Sequence, residues 1–423
     1  MATSIRLCVA AAAALLAFGP ARLPADNSPS ALTLKQCIEI SLARNPLWLS
    51  AEEDYQASLA RVRQAREFPQ PSLAYDSDLQ PRPFDFRQSG ESYFGVSQTV
   101  EFPGRRTVRG KIAAFESREV LADKELLRLE VVFQVKEAFY GVLLSEEKRK
   151  YAVQDLELAR DFLEKARAKY EAGDVAKLEA VRAGVEASKA ATAVKLAEND
   201  VLLAKARLNY LLGRSKIDPL DVQGDLVRAS VPIDRETLVA RAVRARPEIA
   251  RAQAGLAKEQ KRKTEAVLSY LPDFDLSLSR HRLAGTATTW DFTLSFPVPL
   301  FFWQTARGRV AETRANIRSL ERRSEDLANR ISLEVGEACF NARTAADQIA
   351  LFEKEILAQA QDVYDLVLFS FQEGEIGGIE LIDARRSLLE ARKAYADALY
   401  NHSLTIAALE KSVGGSLEGE DNE

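Results

Sequence analysis

The sequence predicts a mainly α-helical chain with a membrane β-barrel portion: long coiled-coil helices forming a tunnel, plus four β-strands. Three observations carry this. The chain is written twice, since Pro46 and Pro247, Ala51 and Ala252, Pro71 and Pro272, Gly173 and Gly374, and Gly213 and Gly414 each stand 201 residues apart. Each copy holds two short segments of period-two alternation bounded by proline. Each copy also holds helical runs far longer than a globular domain needs. A repeat of this length is a duplicated architecture and not a solenoid, whose units are much shorter.

The N-terminus sets the compartment. Arg6 precedes an apolar run from Leu7 to Phe18, with small residues from Gly19 to Ala25. That run is too short to span a membrane as a helix but suits a signal peptide, assigned here to residues 1–25 with its cleavage point open. Cys8 falls inside it and leaves with it.

The first copy occupies residues 26–213, a linker residues 214–233, the second copy residues 234–414, and an acidic tail residues 415–423. Each copy opens with an Ala-rich amphipathic segment, Leu32 to Glu67 and Asp234 to Ser269. Asn45-Pro46 and Arg246-Pro247 break these segments into two helices, because proline is tolerated in a first helical turn and not later.

Short alternating segments follow. Leu73, Tyr75, Ser77 and Leu79 share one face of the first; Phe94, Val96, Gln98, Val100 and Phe102 share one face of the second. In the other copy Phe274, Leu276 and Leu278 alternate with Asp275, Ser277 and Ser279. Trp290, Phe292, Leu294, Phe296 and Val298 alternate with Asp291, Thr293 and Ser295. This is the pattern of a lipid-facing barrel strand, and equally of a soluble sandwich strand. Pro69, Pro71, Pro103, Pro272, Pro297 and Pro299 mark the changes between strand and helix.

The remainder is helix. Arg105 to Tyr170 contains no proline, and at 1.5 Å per residue it would extend roughly 100 Å. Asp174 to Leu212 returns, and Gln304 to Phe371 with Ile376 to Val413 repeat the pair. Helices of this length need partners along their sides.

Four strands cannot close a barrel, and an open edge in lipid leaves backbone groups unpaired. If these strands span a membrane, several chains must therefore contribute them. Three would give twelve and two would give eight. The object is a hollow conduit.

Composition excludes other classes. A formal net charge of −4 offers no basic surface for nucleic acid. No nucleophile–base set, phosphate loop or metal cluster suggests an enzyme or a cofactor. His281 and His402 are isolated, a poor metal site. Cys37 and Cys339 could pair in an oxidising compartment, but Cys339 falls where the first copy has Phe139, which favours a buried apolar position. Arg105, Arg106 and Arg109 could form an electrostatic collar at the junction of barrel and tunnel or be plain helix-start surface, and the plain reading is favoured.

The chain resembles the TolC-like outer-membrane efflux channels along its whole mature length. The resemblance rests on the duplicated order of elements, on Asn45-Pro46, Arg246-Pro247 and Leu271-Pro272, and on Phe371-Gln-Glu-Gly374 followed by Ile379-Glu-Leu-Ile-Asp-Ala384. Gly95-Val-Ser-Gln98 with Glu101-Phe-Pro-Gly-Arg-Arg106 is similar to the heavy-metal cation efflux subgroup. The resemblance implies a homotrimer with a twelve-stranded barrel in outer-membrane lipid and a periplasmic helical tunnel. It implies partners in a periplasmic adaptor protein and an inner-membrane transporter of the RND type. The implied function is a passive conduit of a tripartite pump, exporting small molecules or metal cations; the alternative is the outlet of a type I protein secretion system.

The resemblance also implies sites. Glu380 and Asp383 fall on positions that ring the periplasmic gate with acid. Phe371 takes the place of an aromatic that latches the closed state, or is coiled-coil core. Ile376 replaces a basic residue some members carry, so a polar latch would need Arg182 or Arg385 with Asp383. The hairpin tips at Gly173 and Asp174, and at Gly374 and Glu375, are implied to dock the adaptor; glycine there also simply permits a positive φ.

Overall fold

The computed structural model describes residues 31–82, 84, 86, 89–215, 217–228, 233–298 and 302–417. The segment read as a signal peptide and the end of the acidic tail lie outside the described residues. Each copy begins with a bent helix pair: α1 (Leu34–Arg44) with α2 (Pro46–Gln64), and α5 (Arg235–Ala245) with α6 (Pro247–Leu268). Each proline stands in the first turn of its helix. At the first bend the Asn45 side chain accepts hydrogen bonds from the Leu47 and Trp48 amides. Its Nδ2 and the Ser41 hydroxyl both donate to the Leu211 carbonyl, at 2.9 and 2.8 Å. That satisfies one of the orphan acceptors at a helix C-terminus. The second bend uses different chemistry, with Arg246 paired to Glu248 and Glu334.

Two strands follow each pair: β1 (Ser72–Asp78) and β2 (Glu91–Val100), then β3 (Phe274–Leu283) and β4 (Thr289–Ser295). They form one antiparallel sheet in the order β1-β2-β3-β4, with the outer edges of β1 and β4 unpaired among the described residues. The first strand is shorter than the sequence pattern, because Leu79 turns to a φ of 54°. Phe102 and Phe296 also lie past their strands. The register pairs Leu73 with Val96, Val96 with Leu278 and Leu278 with Phe292, and on the opposite face Asp76 with Tyr93 and Tyr93 with His281. One face is therefore apolar and the other polar.

The long helices are α3 (Arg105–Ala172), α4 (Lys177–Leu211), α7 (Phe302–Leu351), α8 (Leu357–Glu373) and α9 (Gly378–Val413). A single π turn, Phe352–Ile356, joins α7 to α8. It has a reason in the repeat. Core positions before it correspond at a spacing of 200, as Val135 with Val335 and Phe139 with Cys339. The tip glycines beyond it correspond at 201. The wider winding of a π turn takes up the one extra residue.

Each copy has its own core. Cys37, Val131, Val135, Phe139, Leu208 and Leu212 close the first; Leu238, Ile331, Val335, Cys339, Leu409 and Val413 close the second. Cys37 and Cys339 sit in separate cores as buried free thiols, and burial pushes the Cys37 thiol up to about 11. A third cluster, with Phe162, Ala166, Phe371, Leu381 and Leu388, joins the copies near the tips. There α9 packs on α3, leaving α4 and α8 as the two edges of the helical layer.

The arginines after β2 are not plain surface. Arg105 pairs with Asp273 and donates to the Leu271 carbonyl. Arg109 pairs with Glu101 and donates to the Ala65 and Glu67 carbonyls. Arg106 stacks on Phe68 at 3.7 Å. Together they tie the sheet to the ends of α2 and α6, work that a sequence pattern of three arginines does not reveal.

Equivalent glycines in the two copies differ in how tightly they are held. A Cβ on Gly213 would lie 2.5 Å from the Arg44 carbonyl oxygen, whereas on Gly414 its nearest neighbour would be 3.4 Å away. Both have positive φ. Gly414→Ala should cost only the left-handed penalty of roughly 1–2 kcal/mol, and Gly213→Ala clearly more because backbone must move. Urea unfolding of the two variants checks this; equal losses would contradict it.

Candidate functional site

The tips of the two helical hairpins share one design. Gly173 and Gly374 adopt φ of 87° and 81°. Their amides bond Tyr170 and Phe371 carbonyls, and the next amides, of Asp174 and Glu375, reach back to Lys169 and Ser370. This is the Schellman pattern, which needs a left-handed residue at its turn. A Cβ on either glycine would meet nothing within 4 Å, so conformation and not crowding selects glycine. All four tip residues are exposed.

Just above the tips the first hairpin grips the second. Lys169 on α3 donates from Nζ to the Phe371 and Gln372 carbonyls, at 2.7 and 3.3 Å, at the C-terminus of α8. Glu179 on α4 accepts from the Gly378 amide at 3.1 Å, at the N-terminus of α9. A cation at a helix C-terminus and an anion at an N-terminus are both favoured by the helix dipole. Gly377, the N-cap residue of α9, supplies no side-chain cap of its own. Gly378 is a true close approach: a Cβ there would lie 2.5 Å from the Glu179 carboxylate and 2.8 Å from Phe162.

Phe371 is part of this grip. It is buried, meets Phe162 edge-on with centroids 5.4 Å apart, and lies under the Lys169 ammonium at 4.7 Å. Of the two readings of Phe371, core packing describes what it touches within one chain.

Higher up, Arg385 is buried between the hairpins. It donates to Asp155 at 2.9 Å and to Glu186 at 3.1 Å, and Arg386 also reaches Glu186 at 2.9 Å. Burial pushes the Asp155 carboxyl up against the pull of Arg385 and Lys393. Glu186 is also pushed up by burial, but Lys189, Arg386 and Arg385 together hold it below the usual carboxylate range. Arg385 is thereby committed, and it is not a latch for Asp383. Arg182 is exposed and bonds no described residue across the tips.

Glu380 and Asp383 lie one turn apart on α9. Both are exposed and neither has an ion-pair partner among the described residues. Their neighbours by duplication are informative: Glu179 corresponds to Glu380, and Arg182 to Asp383, at the 201 spacing. Sequence reasoning assigned no contact to Lys169, Glu179, Asp155 or Glu186. The duplication was the signal that could have found Glu179.

The polar face of the sheet carries Asp76, Asp78, Glu91, Asp275 and Asp291, with no Lys or Arg among β1–β4 on that side. His281 lies there too, 2.8 Å from Glu91 and stacked on Tyr93 with centroids 4.2 Å apart. The sheet's two arginines that face away, Arg280 and Arg282, share the apolar side. Among the described residues no group of three or more His, Cys, Asp or Glu could hold a metal ion, and no helix is long and apolar enough to cross a membrane. His402 is buried in α9, and burial with Arg228 holds its imidazole below the usual range.

Comparison with known proteins agrees with this architecture. The chain is 26% identical over 401 residues to the cobalt-zinc-cadmium resistance protein CzcC of Cupriavidus metallidurans, covering 89% of each chain. It superposes on the outer-membrane channel OprN with a TM-score of 0.76 at 20% identity, covering 91% of each chain. For the Campylobacter jejuni CmeC outer membrane channel the TM-score is 0.75 at 16% identity, covering 92% of this chain and 87% of that one. The family model for outer membrane efflux proteins matches residues 37–214 and again 238–415. Two matches in the same register, together spanning most of the chain, place this protein in the outer membrane efflux protein family.

Proposed function

We propose that this outer-membrane efflux channel passes metal cations, as a homotrimer whose barrel and tunnel are each completed by three chains. The observation that carries the cation reading is the polar face of the sheet. Five carboxylates per chain point to that side without a Lys or Arg, and rings of carboxylates in a pore favour cations. The relative named for cobalt, zinc and cadmium resistance supports the same cargo. The apolar face, with Leu73, Phe94, Val96, Leu278, Trp290 and Phe292 exposed, is covered by outer-membrane lipid.

Several features support the trimer. Among the described residues the sheet ends in two unpaired edges, which lipid does not tolerate. The edge helices also expose apolar side chains, Leu178, Val181 and Val185 on α4 and Val363, Leu366 and Phe369 on α8. Patches of this kind mark surfaces that another chain covers.

Glu380 and Asp383 ring the periplasmic mouth, with Phe371 packing the hairpins that carry them. The exposed tips at Gly173, Asp174, Gly374 and Glu375 dock a periplasmic adaptor, which joins the channel to an inner-membrane transporter of the RND type. The channel is a passive conduit; the pump supplies the energy.

Reconstituted trimers test the reading in planar bilayers. The wild type should prefer cations over anions and be blocked by divalent or trivalent ions added on the tunnel side. Glu380→Gln with Asp383→Asn should remove that block and raise single-channel conductance. Anion preference in the wild type would overturn the cargo assignment, and unchanged block in the variant would overturn the ring.

A further inference from the structure

The grip between hairpins within one chain has an unfilled counterpart at the chain's edges. The duplication relates the first hairpin, α3 with α4, to the second, α8 with α9, at a spacing of 201. Inside the chain, Glu179 accepts from the amide of Gly378 at the N-terminus of α9. Applying the same spacing to both partners converts Glu179 into Glu380, and Gly378 into Lys177. Lys177 is the first residue of α4, and its N-cap residue Ala176 supplies no side-chain bond. Glu380 in turn is exposed and has no bonding partner among the described residues. A donor without an acceptor stands on the α4 edge of the helical layer, and an acceptor without a donor on α9, beside the α8 edge.

The apolar contact follows the same rule. Inside the chain Phe162 meets Phe371. The shifted pair is Val363 and Tyr170, which are 49% and 42% exposed in the single chain. Val181, the counterpart of buried Ile382, is 53% exposed. These residues cannot meet within one chain. The shift moves each about eight residues along its helix in opposite senses from the observed contact, roughly 12 Å apiece. A second copy, seated with its α4 edge against α8, brings them together. Resting on the proposed trimer, we infer that Glu380 of one chain caps the N-terminus of α4 in the neighbouring copy, so that in-chain and between-chain caps alternate around the mouth.

The first four amides of a helix lack internal partners, and a carboxylate at that end gains both a hydrogen bond and the favourable dipole. The occupant must be another copy of this chain, because it must present an uncapped α4 end and a matching apolar stripe together. The two copies of the repeat then divide the work. Glu179 holds the hairpins of one chain together, and Glu380 holds neighbouring chains. Arg385 has no such counterpart, since Gly184 stands at its shifted position; the buried ion network belongs to the in-chain seam alone. The between-chain seam is therefore the one that parts more readily.

Two measurements on the full-length channel test this. First, Tyr170→Cys with Val363→Cys is treated with a short bismaleimide, with each single-cysteine variant as background for the buried native thiols. Covalently linked trimers on a denaturing gel are the expected result. Second, the temperature at which the trimer dissociates is compared for Glu380→Gln and Asp383→Asn. A carboxylate serving only in an acidic ring repels its two copies, so neutralising it should leave the trimer unchanged or more stable. A capping carboxylate gives the opposite sign, and Glu380→Gln should dissociate several degrees lower while Asp383→Asn does not. Linked monomers alone from a conducting trimer would overturn the inference, as would a Glu380→Gln trimer at least as stable as wild type. A chain that forms no conducting trimer at all would overturn the channel reading with it.

Discussion

Replacing Arg385 with methionine is expected to destabilise the helical tunnel by about 3–5 kcal/mol, the usual cost of removing one partner from a buried ion pair. Arg385 is 5% exposed and is shared by Asp155 and Glu186, which are also buried. Methionine would leave Asp155 in an apolar seam without its closest cation. Glu186 would suffer less, because Arg386 and Lys189 remain beside it. The companion variant sharpens the result. Changing Asp155 to leucine together with Arg385→Met removes the stranded charge as well, and should recover much of the loss, since buried pairs often break even against apolar replacements. Urea unfolding followed by far-ultraviolet dichroism reads both. A loss below about 1 kcal/mol for the single variant would mean that water reaches this seam in the assembled tunnel, and the network would then be no lock.

The second large effect concerns the mouth. Lys169→Met with Glu179→Gln removes both charges that hold α8 and α9 by their termini. Each contact is worth on the order of 1 kcal/mol, so the pair should shift a closed-to-open balance by about 2 kcal/mol, roughly thirtyfold. The expected readouts are a larger single-channel conductance and entry of bulky hydrophilic antibiotics that the closed mouth excludes. Each single change should give a smaller effect of the same sign. A doubly changed channel with wild-type conductance would show that closure depends on other contacts, such as the Phe162–Phe371 packing.

These two predictions rest on parts of the structure that differ in how visible they are in the sequence. The helix boundaries were legible because proline and glycine leave few choices. Pro46 and Pro247 stand in the first turn of α2 and α6, and Gly173 and Gly374 end α3 and α8 in the left-handed region. The strands were legible through period-two alternation, although β1 stopped at Asp78 because Leu79 adopts a positive φ. The acidic pair on α9 was singled out through the resemblance at the tip motif, and its role belongs to the proposed function. The grip around it was not, because Lys169 and Glu179 lie in helices where every third or fourth residue is charged. Nothing in their local pattern says which charges face another helix end.

The sequence by itself determined the duplication, the element order, the polar and apolar faces of the strands, and, for strands that span a membrane, the need for more than one chain. Each follows from short-range chemistry: the conformational limits of proline and glycine, the alternation of side chains along a strand, and the cost of an unpaired strand edge in lipid. Only the tertiary structure decided which charges are spent inside the chain and which remain on its edges. Glu179 and Glu380 occupy the same place in the two copies, yet one caps a helix and the other is exposed without a bonding partner among the described residues. The difference arises because α9 packs beside α3 in the same chain, whereas no described helix of the chain takes the corresponding seat beside α8. That is a property of how the helices are laid side by side, and no local pattern carries it.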